Sequence, residues 1–299
     1  MESPGKKLRR AWLAEQPLQI VGVLNALCAK FAKEKGFQAI YLSGAGVANA
    51  KLAVPDLGLI SLNDIVEETW RITAASSLPL IVDADTGFGS PLNVQRTFKL
   101  LSQAGAAGAH IEDQHLFKRC GHRSHKRLVS ATEMVSRIQA AIEGRLDPDF
   151  VVIARTDALA SEGKKKALER AFLYQAAGAD AIFLEAATTL AEYELFSQKL
   201  SIPILANITE FGKTPLFTVA QLKQAGVGMA LYPLSAFRAM NAAALTVYDT
   251  IRKEGTQQAL VSLMQSRQDL YHYLAYEKAE KILEAYFENA QKPEKKADP

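Results

Sequence analysis

Cysteine is scarce: Cys28 and Cys120 are the two among 299 residues, far apart and in unrelated contexts. A disulfide framework is therefore not expected, and the reducing cytoplasm is the expected compartment. Long apolar runs are missing too. None approaches the ~20 residues that a membrane-spanning helix needs, and the basic start of the chain leads into no apolar core of the kind a signal peptide carries. Nor does charge of one sign dominate. Against 35 Lys and Arg stand 32 Asp and Glu, a net charge of +3, so neither nucleic acid nor a membrane surface is an expected partner. What is present is 48% hydrophobic and 22% charged residues, the balance of a globular protein able to bury a large core.

One grammar recurs along the chain: a helical stretch, a stopping glycine, then a short apolar run. It occurs at Gly36 before Gln38–Leu42, Gly105 before Ala107–Ile111, Gly178 before Asp180–Leu184 and Gly226 before Gly228–Leu231. Glycine just past a helix takes the left-handed cap without a Cβ clash, and continuously apolar runs fit strands buried on both faces. Gln19–Leu24, Leu80–Val82, Phe150–Ala154 and Ile202–Ala206 complete eight strand candidates. Helix starts are marked by Ser90-Pro91 and by capping boxes at Ser130/Glu133 and Thr218/Gln221. Strand and helix in strict alternation predict an α/β fold with a parallel sheet, and eight repeats favour a closed (β/α)8 TIM-type barrel. The rival is a doubly wound open sheet, whose G-x-G-x-x-G phosphate loop is absent after the first strand, where Asn25-Ala26-Leu27 stands.

Residues 1–290 are expected to form one barrel domain including extra C-terminal helices, with 291–299 a disordered tail. Asp113–Val129 is a long basic connection after the fourth strand, and Ala236–Lys253 reads as the eighth helix. Beyond it, Thr256–Asn289 carries more apolar helix than a covered barrel can bury, so packing on another subunit is expected.

In this fold the catalytic groups stand at the C-terminal ends of strands. Those positions read Asn25, Ser43, Asp83 with Asp85, Glu112 with Asp113, Arg155 with Asp157, Glu185, and Asn207 with Thr209. Carboxylates gathered on one rim repel one another unless a cation neutralises them, and oxygen ligands suit magnesium or manganese. Asp83-Ala84-Asp85 is the leading ligand pair, because alternate residues of an extended chain share a face; Glu112 joins them from the next strand. The competing interpretation is a surface turn. His110, one step before the rim, is expected in the barrel wall. Cys120 sits in the cationic stretch Lys118-Arg119-Cys120-Gly121-His122-Arg123, where cations favour thiolate and suit the thiol to proton transfer. Cys28, on the helix after the first strand, fits a small buried hydrophobe.

These stretches resemble a known family. Tyr41-Leu42-Ser43-Gly44, Val82-Asp83-Ala84-Asp85, His110-Ile111-Glu112-Asp113-Gln114 and Lys118-Arg119-Cys120-Gly121-His122 are similar to the phosphoenolpyruvate mutase/isocitrate lyase superfamily. Ala154-Arg155-Thr156-Asp157, Asn207-Ile208-Thr209-Glu210-Phe211-Gly212 and Tyr232-Pro233-Leu234-Ser235-Ala236-Phe237-Arg238 resemble its methylisocitrate lyase family in particular. The resemblance runs from about Leu18 to about Tyr273 in one register.

It implies a carbon–carbon lyase acting on a tricarboxylate, 2-methylisocitrate, to give pyruvate and succinate in propionate catabolism by the methylcitrate cycle. Asp85 would bind Mg2+ (or Mn2+) directly, with Asp83 and Glu112 helping through water. Ser43, Gly44 and Ala45 would hold the pyruvate-forming end, and Arg155 would clamp a carboxylate and the developing enolate oxygen. Cys120 would protonate the succinate-forming carbanion with Gly121 close by, and Tyr41 would accept the hydroxyl proton. The Asn207-Ile208-Thr209 segment, Glu185, Arg238 and Arg267 would bind the remaining carboxylates and hydroxyl. Phe183, Leu231 and Pro233 would surround the substrate methyl. A homotetramer with C-terminal helices swapped between barrels is implied as well. One departure is Ala45, where the family commonly has glycine. Two alternatives stay open: a phosphonopyruvate mutase or hydrolase or an oxaloacetate decarboxylase, relatives that generally lack the Lys-Arg-Cys-Gly-His loop; and a catalytically silent barrel, disfavoured because each expected position holds a competent residue.

Overall fold

The computed structural model describes residues 2–116, 118, 119, 121 and 126–290, the last two by backbone alone. Cys120, His122, Ser124 and His125 lie outside the described residues, as does the expected tail 291–299. By contacts the chain divides into two units, Met1–Asn241 and Ala242–Pro299.

The first unit opens with α1 (Pro4–Ala14), β1 (Leu18–Gly22), α2 (Ala26–Glu34), β2 (Ala39–Leu42), α3 (Gly44–Leu52) and α4 (Leu62–Ala75). It continues through β3 (Leu80–Asp83), α5 (Pro91–Gln103), β4 (Gly108–Glu112), α6 (Ala131–Gly144) and β5 (Val151–Thr156). Then come α7 (Ala158–Glu162), α8 (Lys164–Ala176), β6 (Ala181–Leu184), α9 (Leu190–Lys199), β7 (Ile204–Asn207), α10 (Val219–Gln224) and β8 (Met229–Tyr232). The eight strands close into a barrel of parallel neighbours in sequence order, β8 pairing back onto β1 with Ile20 opposite Leu231. The expected (β/α)8 architecture is therefore the observed one, and the open doubly wound sheet is excluded.

The four stopping glycines have φ of +85° (Gly36), +86° (Gly105), +99° (Gly178) and +74° (Gly226), a backbone region that suits a residue without Cβ. Thr218 and Gln221 form the reciprocal capping box, but Ser130 and Glu133 do not. Ser130 accepts from the Glu133 amide, while the Glu133 carboxylate turns to Arg137 at 2.7 Å. Strand β7 starts at Ile204, not Ile202, because the intervening Pro203 has no N–H to donate to a ladder. Helices α1, α3 and α7 were not anticipated.

Alternation along the strands sorts the core into two layers. Ile40, Leu42, Val82, Ile111, Val152, Ile182 and Leu184 face the surrounding helices. Leu18, Ile20, Ala39, Ile81, Val151, Ile153, Ala181, Leu205 and Met229 fill the barrel, joined by Leu8 and Ala11 of α1. Helix α1 thus plugs the floor. The Gly5 amide donates to Asp147 at 2.9 Å, and Arg9 pairs with Asp180 at 2.7 Å. Leu8 is wholly buried in this plug, and Leu8→Ala is expected to cost about 2–5 kcal/mol of stability as a transfer loss plus a cavity. Urea unfolding checks this; an unchanged midpoint would show that α1 does not seal the barrel.

Helix α11 (Ser235–Glu254) runs into the second unit, followed by a 3₁₀ turn (Gln258–Leu263), α12 (Arg267–Leu274) and α13 (Tyr276–Ala290). Neither α11, the 3₁₀ turn nor α12 has a buried residue. Leu245, Tyr248, Leu263, Ile282, Leu283, Tyr286 and Phe287 are exposed, so an apolar face of this unit lies bare in the single chain. No described helix is long and apolar enough to cross a membrane.

Candidate active site

Inward-facing positions at the strand ends supply the site. Tyr41 lies on β2 and Ser43 follows it, Asp83 ends β3, Glu112 ends β4, Arg155 lies on β5, Phe183 lies on β6 and Glu185 follows it, Asn207 ends β7, and Leu231 lies on β8 with Pro233 following it. All of these line one cavity at the C-terminal rim, together with Ala45, Asp56, Lys118, Gly121, Thr209, Glu210, Phe211 and Arg238. Its cavity volume is about 130 Å3.

Asp83 is fixed by backbone donors: the Gly44 amide reaches its Oδ2 at 3.0 Å and the Asp85 amide its Oδ1 at 3.0 Å. A Cβ on Gly44 would stand 3.1 Å from both Asp83 Oδ2 and Asp85 Oδ1, so the two carboxylates converge on one spot. Asp85 itself has a left-handed φ of +49° and lines the adjoining cleft, which shares Lys118 with the main cavity. Burial pushes the Asp85 carboxyl up to about 7, with repulsion from Asp83 and Asp56 adding to it against the pull of Lys118. Burial alone would raise Asp83 as well, but His110, Lys118, Arg155 and the Asp85 amide outweigh it and hold that carboxyl below the ordinary range. Burial also raises Glu112 well above the usual value, and its Oε1 has no hydrogen-bond partner among the described residues.

Two cations answer these acids. Lys118, buried, bonds to Asp85 and pairs with Asp56 at 2.6 Å; burial disfavours its charge, yet Asp85, Glu112, Asp83 and Asp56 keep it protonated. Arg155 lies 3.0 Å from Asp157, 3.3 Å from Glu112 and 3.8 Å from Glu185, with its guanidinium 5.2 Å over the Phe183 ring. His110 is fully buried in the wall, its Nε2 2.8 Å from the Tyr41 hydroxyl and 3.5 Å from Asp83. Burial lowers His110 to about 4, so it is neutral at pH 7, and burial raises the Tyr41 phenol, which keeps its proton.

A hard divalent cation fits this corner. Burial disfavours the charge of Asp85 and Glu112, Asp83 and Asp85 turn to one spot, and Glu112 carries an oxygen with no hydrogen-bond partner among the described residues. Among the described residues no three Asp, Glu, His or Cys side chains already form a closed metal cluster. Water or substrate oxygens must complete the shell, as magnesium commonly permits.

The remaining anticipated residues have the following surroundings. Ile208 packs into the outer core and donates its amide to the Leu231 carbonyl at 2.8 Å, so the period of two turns it away from the cavity that Asn207 and Thr209 line. Gly44 spends its amide on Asp83. Arg267 opens α12, in the second unit. Ala45 lies in the first turn of α3 without a positive φ, so its methyl brings no backbone strain. Cys28, half-buried, packs against the core. Asp56 and the direct role of Lys118 were missed; Pro55-Asp56 in the loop after α3 was the available signal for a rim acid.

A family model described as phosphoenolpyruvate phosphomutase matches residues 8–252. The chain is 55% identical to the 2-methylisocitrate lyase of Escherichia coli (strain K12), with 97% of this chain and 99% of that protein covered. It is 44% identical to that of Aeropyrum pernix, over 94% of this chain and 90% of the relative. A crystal structure of 2,3-dimethylmalate lyase superposes with a TM-score of 0.87 at 35% identity, covering 94% of this chain and 95% of that one. Phosphonopyruvate hydrolase in complex with oxalate and Mg++ gives 0.84 at 30% identity, covering 95% and 99%. By sequence, fold and rim chemistry together, the chain belongs to the phosphoenolpyruvate phosphomutase family, and within the phosphoenolpyruvate mutase/isocitrate lyase superfamily it groups with the 2-methylisocitrate lyases.

Proposed function

We propose that this protein is a lyase that cleaves 2-methylisocitrate to pyruvate and succinate, in the cytoplasm, as a step of the methylcitrate cycle. The observation that carries this is the full-length identity of about half or more to several 2-methylisocitrate lyases, joined to a rim of buried acids beside Arg155 and an apolar wall of Phe183, Leu231 and Pro233. That wall would take the substrate methyl. One methylene is worth only roughly 1–3 kcal/mol of discrimination in an apolar pocket, so slow cleavage of isocitrate is compatible with it. The test is product analysis after parallel incubation with 2-methylisocitrate, isocitrate and phosphonopyruvate. Pyruvate with succinate from the first is expected; turnover of phosphonopyruvate alone would reverse the assignment, and no turnover of any would favour a silent barrel.

Cleavage requires the substrate hydroxyl to lose a proton while negative charge grows on carboxylate oxygens. Asp83, Asp85 and Glu112 would hold Mg2+ (or Mn2+), Asp85 as the direct ligand and the other two with the help of water, and the ion would supply Lewis-acid charge for those oxygens. Arg155 holds a carboxylate and the developing enolate oxygen with a fixed, desolvated guanidinium. Ser43 and the backbone near Ala45 hold the pyruvate-forming end. Glu185, Asn207, Thr209 and Arg238, with Arg267, bind the rest of the tricarboxylate. A Tyr41 that accepts the hydroxyl proton has to pass its own to His110 Nε2, 2.8 Å away and neutral. Cys120 delivers the proton to the succinate-forming carbon. Residues 1–290 act as one functional domain, and the bare apolar face of the second unit would be covered in a homotetramer by helix exchange between barrels.

Metal binding is expected to depend on pH through Asp85. Its carboxyl keeps a proton until about pH 7, and only the ionised form is a ligand, so binding releases that proton. Affinity for Mg2+ should therefore rise about tenfold per pH unit below neutrality and level off above it. Calorimetric titrations from acid to alkaline pH measure this, and a flat profile would remove Asp85 from the ligand set.

A further inference from the structure

We infer that Lys126, which no expected role includes, is a positioning residue that locks Gly121 and Arg155 into one arrangement; this rests on the lyase assignment above. The Lys126 ammonium is buried, with 3% of its side chain exposed, and makes two short bonds. One goes to the Gly121 carbonyl at 2.6 Å and the other to Asp157 Oδ1 at 2.6 Å. Asp157, wholly buried, holds Arg155 through two further bonds, 3.0 Å from Nε to Oδ2 and 3.2 Å from the terminal nitrogen to Oδ1. The circuit closes at Gly121, where a Cβ would stand 2.4 Å from that same Arg155 nitrogen and 2.4 Å from Glu185 Oε1. Gly121 therefore lies directly on the Arg155–Glu185 pair, and Lys126 is what ties its carbonyl down.

The arrangement has the marks of a clamp and not of a surface ion pair. Both partners of the Lys126–Asp157 bond are out of water, so neither is screened. The cation also offsets Asp157, which would otherwise draw Arg155 more strongly away from the cavity. Asp157 is fixed from behind: its amide donates to Asp113 at 2.9 Å, and Asp113 accepts from Thr156 and Tyr174 at 2.8 and 2.9 Å. A rigid backing of this kind turns one ammonium into a setting for two substrate-facing groups at once.

Lys126→Met keeps an unbranched stem, one atom shorter, and removes its donors. In this variant kcat on 2-methylisocitrate should fall at least about 30-fold with a much smaller change in KM, and affinity for oxalate in the presence of Mg2+, read by calorimetry, should drop about tenfold. Lys126→Arg, which retains charge and donors, should recover part of both. Lys126→Gln serves if Met does not fold. Asp157→Asn combined with Lys126→Met should be no slower than the worse single variant, because both act through one linkage. Wild-type kcat and oxalate affinity in Lys126→Met, or multiplying losses in the double variant, would overturn the inference and leave the lyase assignment intact. A wild-type protein without turnover would sink the assignment, and oxalate affinity would still decide the role of Lys126.

Discussion

Arg155→Met is expected to lower kcat/KM by about 10³ and to destabilise the protein. The guanidinium is the one group within reach of Glu112, Asp157 and Glu185 together, at 3.3, 3.0 and 3.8 Å. Its charge is disfavoured by burial and restored by those same acids, which hold it protonated far above any working pH. Removing it leaves buried carboxylates facing one another, a loss of about 3–5 kcal/mol where a buried pair is broken from one side. Arg155→Lys separates the two effects. A point charge on a flexible stem can offset the acids but lacks the planar fork that grips a carboxylate, so stability should recover further than rate. Steady-state kinetics beside thermal unfolding read both quantities; a Met variant with wild-type kinetics would remove Arg155 from the chemistry.

Cys120→Ala is expected to lower kcat by about 10²–10⁴, the usual worth of a general acid, without loss of stability. The succinate-forming carbanion then has to take its proton from water. Because the other contacts stay in place, affinity for product pyruvate should change little. Cys120→Ser keeps a hydroxyl whose proton is harder to give up, so it should fall near the alanine variant. Serine at wild-type rate would mean that another group delivers the proton.

The barrel was legible in the sequence because its strands are buried on both faces and carry uninterrupted apolar runs, four of them announced by a glycine such as Gly105 or Gly178. The rim was legible for a related reason: strand ends alternate strictly, so Asp83, Glu112, Arg155, Glu185 and Asn207 had to share an interior. By the same rule Ile208, between Asn207 and Thr209, turns its side chain into the outer core. Loops obey no such period. Asp56 and Lys118 meet at 2.6 Å across 62 residues of sequence, and nothing local in either segment specifies that meeting. Lys118 was taken as part of a diffuse basic setting for Cys120, whereas its buried ammonium is committed to Asp56 and Asp85. Glu133 shows the limit of motif reading at a helix start, since a nearer arginine captured the side chain that a capping box needed.

The floor plug carries a consequence for how the chain is made. Helix α1 leaves the ribosome well before the groups that receive it: Asp147 for Gly5, and Asp180 for Arg9. Until β5 and β6 have been synthesised, Leu8 has no finished barrel to enter, and β1 waits longer still for β8. Closing so large a loop is slow relative to the local pairing of β2 with β3 or β4 with β5. Helix α1 is thus translated before its partners yet is among the last elements to dock, and a substitution that loosens its seat would burden that late step of maturation.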